Sequence, residues 1–194
     1  MTKYILAGGY MHTAADGGAA FCQELVRGFA DGMPLRILDC LFARNPNTWN
    51  KKFKEDQEFY SKHLKNFKLE LAAPDIFLKQ VRESDIVFFE GGIPRQLISL
   101  LGDKSLFIEE LEGKVLAGTS GGADAICTYY AVGKTSNIGE GLGLLPIKFI
   151  PYWESDYGQG LKIDWDGLRK RLQSHKEDLE IVLLREGEFR VIER

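Results

Sequence analysis

A serine flanked by glycines carries the strongest chemical signal in the sequence. It stands in Gly118-Thr-Ser-Gly-Gly122, after the apolar run 115–117 and before an alanine-rich segment that can be helical. Strand, glycine-flanked serine and helix follow one another in the order of a nucleophile elbow, where the serine lies on a sharp turn with small neighbours. The same pattern also fits a small-residue turn in which Ser120 only caps the following helix.

In an elbow, the Ser120 hydroxyl projects above the edge of the sheet. The Gly121 N–H then points from a helix N-terminus towards a developing oxyanion. A second glycine pair, Gly91-Gly92, follows the apolar run 85–89. Its turn can bring the Gly92 N–H beside that of Gly121, which predicts a two-donor oxyanion hole. The alternative is an ordinary turn with positive φ.

Strand and helix patterns alternate along the chain and predict an α/β fold. Short apolar runs at 3–7, 35–38, 85–89 and 115–117 predict strands, and apolar residues at helical spacing predict helices near 19–29, 50–67 and 165–174. We expect one domain, 1–194, with three layers: a mainly parallel sheet and helices on both faces. The runs 181–184 and 189–192 around Glu186-Gly187 predict a terminal hairpin. Ligands of such sheets bind at the carboxyl ends of the strands.

Composition excludes several classes of function. The net charge of -3 gives no basic excess for binding nucleic acid, and no apolar run reaches the length of a membrane span. The N-terminal segment does not resemble a signal peptide. Three widely spaced cysteines are typical of free thiols in a reducing compartment, so we expect a cytoplasmic protein with no metal and no cofactor.

Three segments resemble the peptidase E family, which comprises aspartyl dipeptidases and relatives of cyanophycinase on the class I glutamine amidotransferase-like fold. They are Phe88-Phe-Glu-Gly-Gly-Ile-Pro-Arg-Gln-Leu97, Gly118-Thr-Ser-Gly-Gly-Ala123 and Gly141-Leu-Gly-Leu-Leu-Pro146 continuing to Pro151. The resemblance implies a cytoplasmic serine hydrolase in which Ser120 is the nucleophile. It also implies that Gly92 and Gly121 supply the oxyanion hole.

The chain departs from the family pattern at the catalytic base. Tyr152 follows Pro151 where the family has its histidine, and Lys134-Thr-Ser136 stands where we expect the acidic residue of the triad. Glu90 replaces the first glycine of the family's glycine triple, and Ile93 replaces its asparagine. Loss of a histidine base typically costs about a millionfold in turnover. Hydrolysis therefore requires another base.

Three residues are candidates for that base. His12 lies in the loop after the first predicted strand, at the functional edge of the sheet, although it also fits an exposed loop residue. Glu154 and Glu90 can serve if burial raises their basicity, and otherwise are solvated acids. A phenol is a poor base at neutral pH, so Tyr152 is interpreted as a hydrogen-bond donor. With Glu90, Gly91 and Trp153 it forms the expected substrate contacts.

Two functions remain open at this point. One is a serine-type hydrolase that cleaves a small peptide or amide through an acyl-enzyme on Ser120, with an atypical base such as His12 or Glu154. The alternative is a catalytically inactive homologue that binds a small acidic metabolite or a partner protein. The sequence does not identify the substrate, and it leaves the oligomeric state open, with a homodimer as one option.

Overall fold

Two sheets, seven α-helices and three short 3₁₀ helices account for the secondary structure in the described residues of the computed structural model, 1–101 and 104–194. The strands are β1 (Lys3–Ala7), β2 (Leu35–Cys40), β3 (Phe67–Leu71), β4 (Ile86–Phe89), β5 (Val115–Thr119), β6 (Cys127–Val132), β7 (Asn137–Glu140), β8 (Leu145–Ile150), β9 (Glu180–Leu183) and β10 (Phe189–Glu193). The helices are α1 (Ala19–Val26), α2 (Trp49–His63), α3 (Phe77–Glu83), α4 (Pro94–Leu101), α5 (Lys104–Glu110), α6 (Gly121–Ile126) and α7 (Trp165–Gln173).

The larger sheet has the order β10-β1-β5-β4-β2-β3, with only β10 antiparallel to its neighbour. Strands β4 and β5 are buried along their whole length, which explains why they read as continuous apolar runs rather than alternating ones. One core cluster includes residues of α1 and α2, and another includes residues of α3, α4, α5 and the smaller sheet. The predicted α/β fold, with a mainly parallel sheet and helices on both faces, is confirmed.

Strand register brings the special residues of the sequence to one edge. Ala7 pairs with Thr119, and Phe89 pairs with Gly118, so β1, β4 and β5 end side by side. Gly8-Gly9, Glu90 and Ser120 follow directly after these three strand ends. The edge that a parallel sheet offers to ligands is therefore the edge that carries the glycine turns.

The predicted terminal hairpin was wrong. Both of its strands form, but β9 pairs with β8 in the smaller sheet, whereas β10 pairs with β1 in the larger one. The order of the smaller sheet is β7-β6-β8-β9, and strand β6 was not predicted. The helix after Ser120 ends at Ile126, and Cys127 is the first residue of β6 and is fully buried.

Some helix boundaries also differ from the predictions. Helix α1 ends at Val26 rather than at Phe29. Phe67, expected on the apolar face of the long helix, is the first residue of β3. Among the described residues, no helix has the length and apolar character that crossing a bilayer requires.

Candidate active site

Ser120 lies on the turn between β5 and α6 in a conformation that residues with a Cβ rarely adopt. Its φ is 51° and its ψ is -123°. Its N–H donates to the carbonyl of Ala7 at 3.0 Å, and its carbonyl accepts from the N–H of Asp124 at 2.9 Å. Its side chain makes no capping hydrogen bond to α6. The turn therefore has the backbone of an elbow rather than of a serine-capped helix.

Glycines at 118 and 122 allow this turn to pack. A Cβ at residue 122 would lie 2.0 Å from the carbonyl oxygen of Phe89, and one at residue 118 would lie 2.8 Å from the backbone nitrogen of Ala123. Both distances are far inside van der Waals contact, so neither position accepts a larger residue without movement of the backbone. These contacts explain the spacing of the motif in physical terms.

The turn after β4 lies against the elbow. A Cβ at Gly121 would be 2.1 Å from the carbonyl oxygen of Gly92 and 3.0 Å from its nitrogen. A Cβ at Gly91 would be 3.0 Å from the Cβ of Ser120. The two glycine turns are thus in backbone contact beside the half-buried Ser120.

Ser120 opens onto a cavity of about 750 Å³. Helix α2 forms one wall of the cavity, and the turns after β1, β4 and β8 contribute to the others. Polar lining residues include Tyr10, His12, Arg44, Lys52, Asp56, Glu90, Ser120, Asp124, Lys134, Tyr152 and Tyr157.

Tyr152 occupies the position beside the candidate nucleophile. Its N–H donates to the carbonyl of Gly8 at 2.9 Å, and a Cβ at Gly9 would lie 2.3 Å from its ring. Its side chain makes a polar contact with the Ser120 hydroxyl. Burial raises the pKa of Tyr152 to about 12, although the contact with Ser120 acts in the opposite direction. The phenol is therefore protonated at neutral pH and cannot accept the serine proton.

His12 lies in a short 3₁₀ turn, Met11–Thr13, and its exposed side chain lines the same cavity as Ser120. Its ring centroid is 5.8 Å from that of Tyr10. The ring of Tyr10 in turn meets the ring of Tyr152 edge-on at 5.2 Å. The structure thus places His12 on the rim that leads to Ser120.

Two other predicted site residues lie outside the lining of the cavity. Glu154 is exposed and accepts hydrogen bonds from Arg185, with the Nε donor at 3.0 Å. Trp153 packs against Trp165 with ring centroids 5.5 Å apart, as part of the smaller sheet's core. Glu90, Gly91 and Tyr152 do line the cavity.

Sequence reasoning named Glu90 but missed the charged residues around it. Glu90 is buried, and its carboxylate contacts Arg44 at 3.0 Å and Lys52 at 2.8 Å. Lys52 also pairs with Asp56, whose pKa is raised to about 6, chiefly by burial. The available signal was the spacing of Lys52 and Asp56, which lie one helical turn apart on α2.

Asp124 is a further lining residue that sequence reasoning did not single out. It lies one helical turn after Ser120, it is 3% exposed, and its Oδ1 has no hydrogen-bond partner among the described residues. Burial raises the pKa of Asp124 well above its usual range, which favours the neutral carboxyl. Within residues 1–101 and 104–194, no three side chains of the metal-binding types are grouped as a metal ion would require.

Comparison with known proteins identifies the family of the chain. The profile of peptidase family S51 matches residues 47–193, which is most of the chain. The chain belongs to peptidase family S51. The resemblance to peptidase E is thereby confirmed, and the family supports a peptidase E-like hydrolase.

Two solved structures share the fold of this family S51 chain. A peptidase from an acI-B1 actinobacterium matches with a TM-score of 0.73 and 21% identity, over 99% of this chain and 83% of that one. A protein of Listeria monocytogenes EGD-e assigned to peptidase E matches with a TM-score of 0.68 and 14% identity, over 99% of this chain and 97% of that one. No curated protein matches the chain.

Proposed function

We propose that this family S51 chain is a serine-type hydrolase that cleaves a small peptide or amide through an acyl-enzyme on Ser120. The backbone of Ser120, with φ of 51° and ψ of -123° at the mouth of the cavity, is the observation that carries the proposal. A residue with a Cβ is held in such a conformation only where the surrounding structure imposes it, and such sites concentrate where chemistry occurs.

The reaction follows from the neighbours of Ser120. The serine Oγ attacks the substrate carbonyl carbon as its proton passes to the base, and the carbonyl oxygen becomes an oxyanion between the Gly92 and Gly121 N–H groups. The C–N bond then breaks, and the departing amine takes the proton from the base. Water attacks the acyl-serine by the reverse sequence and releases the acid.

His12 is the residue we propose as the base. It lines the cavity of Ser120, whereas Glu154 is held by Arg185 outside that lining and Tyr152 keeps its proton. Ring contacts through Tyr10 and Tyr152 place His12 in the same cavity as Ser120, and the serine proton reaches the imidazole through water in that cavity, because packed rings transfer no proton. An imidazole is suited to accept a proton near neutral pH.

The test is covalent labelling with a fluorophosphonate probe. The probe needs an activated serine opposite an oxyanion hole, so we expect modification of Ser120 in the wild type and none in Ser120→Ala, located by mass spectrometry of the labelled peptide. Wild-type protein that stays unlabelled at high probe concentration contradicts the hydrolase proposal.

The second candidate is a catalytically inactive homologue that binds a small acidic metabolite. The protonated phenol of Tyr152 beside Ser120 favours it, because that position then offers a hydrogen-bond donor rather than a base. Lys134 provides positive charge in the cavity for an acidic ligand, whereas Arg44 and Lys52 are paired with Glu90 and Asp56. An unlabelled wild type whose melting temperature rises with small dicarboxylates supports this candidate over hydrolysis.

A further inference from the structure

Glu90 stands at the junction between β4 and the turn that faces Ser120. The family pattern has a glycine there, whereas this chain places a carboxylate whose residue is 6% exposed. Burying a carboxylate is costly unless charged and polar partners compensate it. The partners of Glu90 therefore indicate what the carboxylate does.

Both carboxylate oxygens of Glu90 are engaged. Oε2 accepts hydrogen bonds from the N–H of Gly91 and, at 3.0 Å, from Nη2 of Arg44. Oε1 lies 2.8 Å from Nζ of Lys52. These three contacts approach from its own turn, from the loop after β2 and from α2, so they fix the side chain in one orientation.

Two further acids surround this arrangement. Asp56 shares the Lys52 ammonium with Glu90, and the fully buried Asp39 adjoins Asp56. Burial, and then the charge of Asp56, raise the pKa of Asp39 well above its usual range, which favours its neutral form. The other two carboxylates, Glu90 and Asp56, face two cations, Lys52 and Arg44, and Lys52 lies between the two acids.

The turn held by Glu90 is the one that carries the proposed oxyanion donor. Gly91 packs against Ser120, and Gly92 packs against Gly121. Two consecutive glycines have wide conformational freedom, so their peptide planes need an external constraint. The hydrogen bond from the Gly91 N–H to the Glu90 carboxylate supplies that constraint one residue before the Gly92 N–H.

We propose that Glu90 is a positioning residue that orients the Gly91-Gly92 turn towards Ser120, and that Lys52 acts through Glu90 by holding its carboxylate. The part of this inference that concerns the reaction rests on the proposed hydrolase function. The part that concerns the geometry of the turn does not.

The geometry is tested by NMR, without any reaction. A backbone N–H that donates to a carboxylate resonates downfield, so we expect the Gly91 amide proton downfield of the other glycine amides in the wild type. It should move upfield in Glu90→Gln, because a neutral amide oxygen is a weaker acceptor. A Gly91 amide that resonates among the other glycines in the wild type overturns the proposal, whether or not Ser120 reacts.

The effect on the reaction is tested with a double-mutant cycle on fluorophosphonate labelling. We expect kinact to fall about tenfold in Glu90→Gln with KI unchanged, because the donor to the oxyanion is misaligned while the cavity stays intact. Lys52→Met should produce a similar fall, and the double variant should be no slower than Glu90→Gln alone. Additive losses contradict the claim that Lys52 acts through Glu90.

Matched variants separate positioning from general damage. Lys51→Met removes the neighbouring cation of α2, which is exposed and pairs only loosely with Glu55 at 3.9 Å, and it should label at the wild-type rate. Lys52→Arg retains a cation and should recover most of the rate lost in Lys52→Met. If Lys52→Met does not fold, Lys52→Arg and the wild-type Gly91 amide still decide the question. If the wild type shows no labelling but has the downfield Gly91 amide, the function fails and the positioning stands.

Discussion

The phenol of Tyr152 is in polar contact with the hydroxyl of Ser120, at the position where the peptidase E pattern places its histidine. Glu186 adds negative charge near this phenol, and its carboxylate accepts a hydrogen bond from Ser155. A nucleophile elbow and a ring beside it are therefore assembled, with a phenol in place of an imidazole.

Tyr152→His should convert this arrangement into one with a base in direct reach of the serine. A positioned general base contributes typically 10²–10⁴-fold, so we expect fluorophosphonate labelling of Ser120 to become about 100-fold faster. The rate should rise with pH through about 6.5 as the imidazole loses its proton, since only the neutral ring accepts one. The measurement is the second-order labelling rate between pH 5 and 9.

Tyr152→Phe is the matched control, because it removes the hydroxyl and adds no base. It should label no faster than the wild type and show no new titration. A Tyr152→His protein that folds but labels at the wild-type rate would show that residue 152 does not face the reacting oxygen.

Ser120→Gly should increase stability while it abolishes labelling. The conformation of Ser120 costs a residue with a Cβ about 1–3 kcal/mol, and glycine adopts it without that penalty. Glycine also has more conformational freedom in the unfolded chain, which offsets part of this gain. We therefore expect the free energy of unfolding of Ser120→Gly to exceed that of Ser120→Ala by about 1 kcal/mol. Urea denaturation of both variants measures the difference. Equal stability of the two variants contradicts the claim that the elbow is strained.

The elbow and the positions of the main strands along the chain could be predicted because both depend on local properties of the chain. Gly118, Ser120 and Gly122 encode a backbone shape directly, and runs such as Ile86–Phe89 can only be buried strands. The terminal hairpin failed for the opposite reason. The runs around Glu186-Gly187 do form strands, but the sheet that each one joins is decided by distant partners, Lys148 for Ile181 and Ile5 for Val191.

The charged wall of the cavity could not be predicted for a related reason. Lys52 and Asp56 look like the solvated face of an amphipathic helix until Glu90, far away in sequence, is placed against them. Burial of a charge is recognisable only when its partner is known. His12 is the contrary case. It lies in the loop after β1, and a residue that follows a parallel strand is expected at the ligand-binding edge of the sheet whatever it contacts.

His12→Ala should lower the labelling rate of Ser120 at least tenfold if His12 takes the serine proton. The expected loss is smaller than for a directly bonded base, because the serine proton reaches His12 through water in the cavity rather than through a direct hydrogen bond. His63→Ala is the matched control, since the His63 ring contacts the carbonyl of Gly17 rather than the cavity. An unchanged rate in His12→Ala removes His12 as the base.

Asp39→Asn should stabilise the protein at pH 7 and change how stability depends on pH. Burial raises the pKa of Asp39 well above its usual range in the folded state, so folding requires proton uptake once the unfolded chain has ionised. The stability that this group contributes is fully present below about pH 3.9 and is lost as pH rises, at up to roughly 1.4 kcal/mol per pH unit. Asparagine has the same shape and no proton to take up, so the stability advantage of Asp39→Asn over the wild type should grow between pH 4 and pH 7.

Urea unfolding at the two pH values, with the exposed Asp31→Asn as control, measures this change. A variant whose difference from the wild type is the same at both pH values would show that Asp39 keeps its charge in the folded protein.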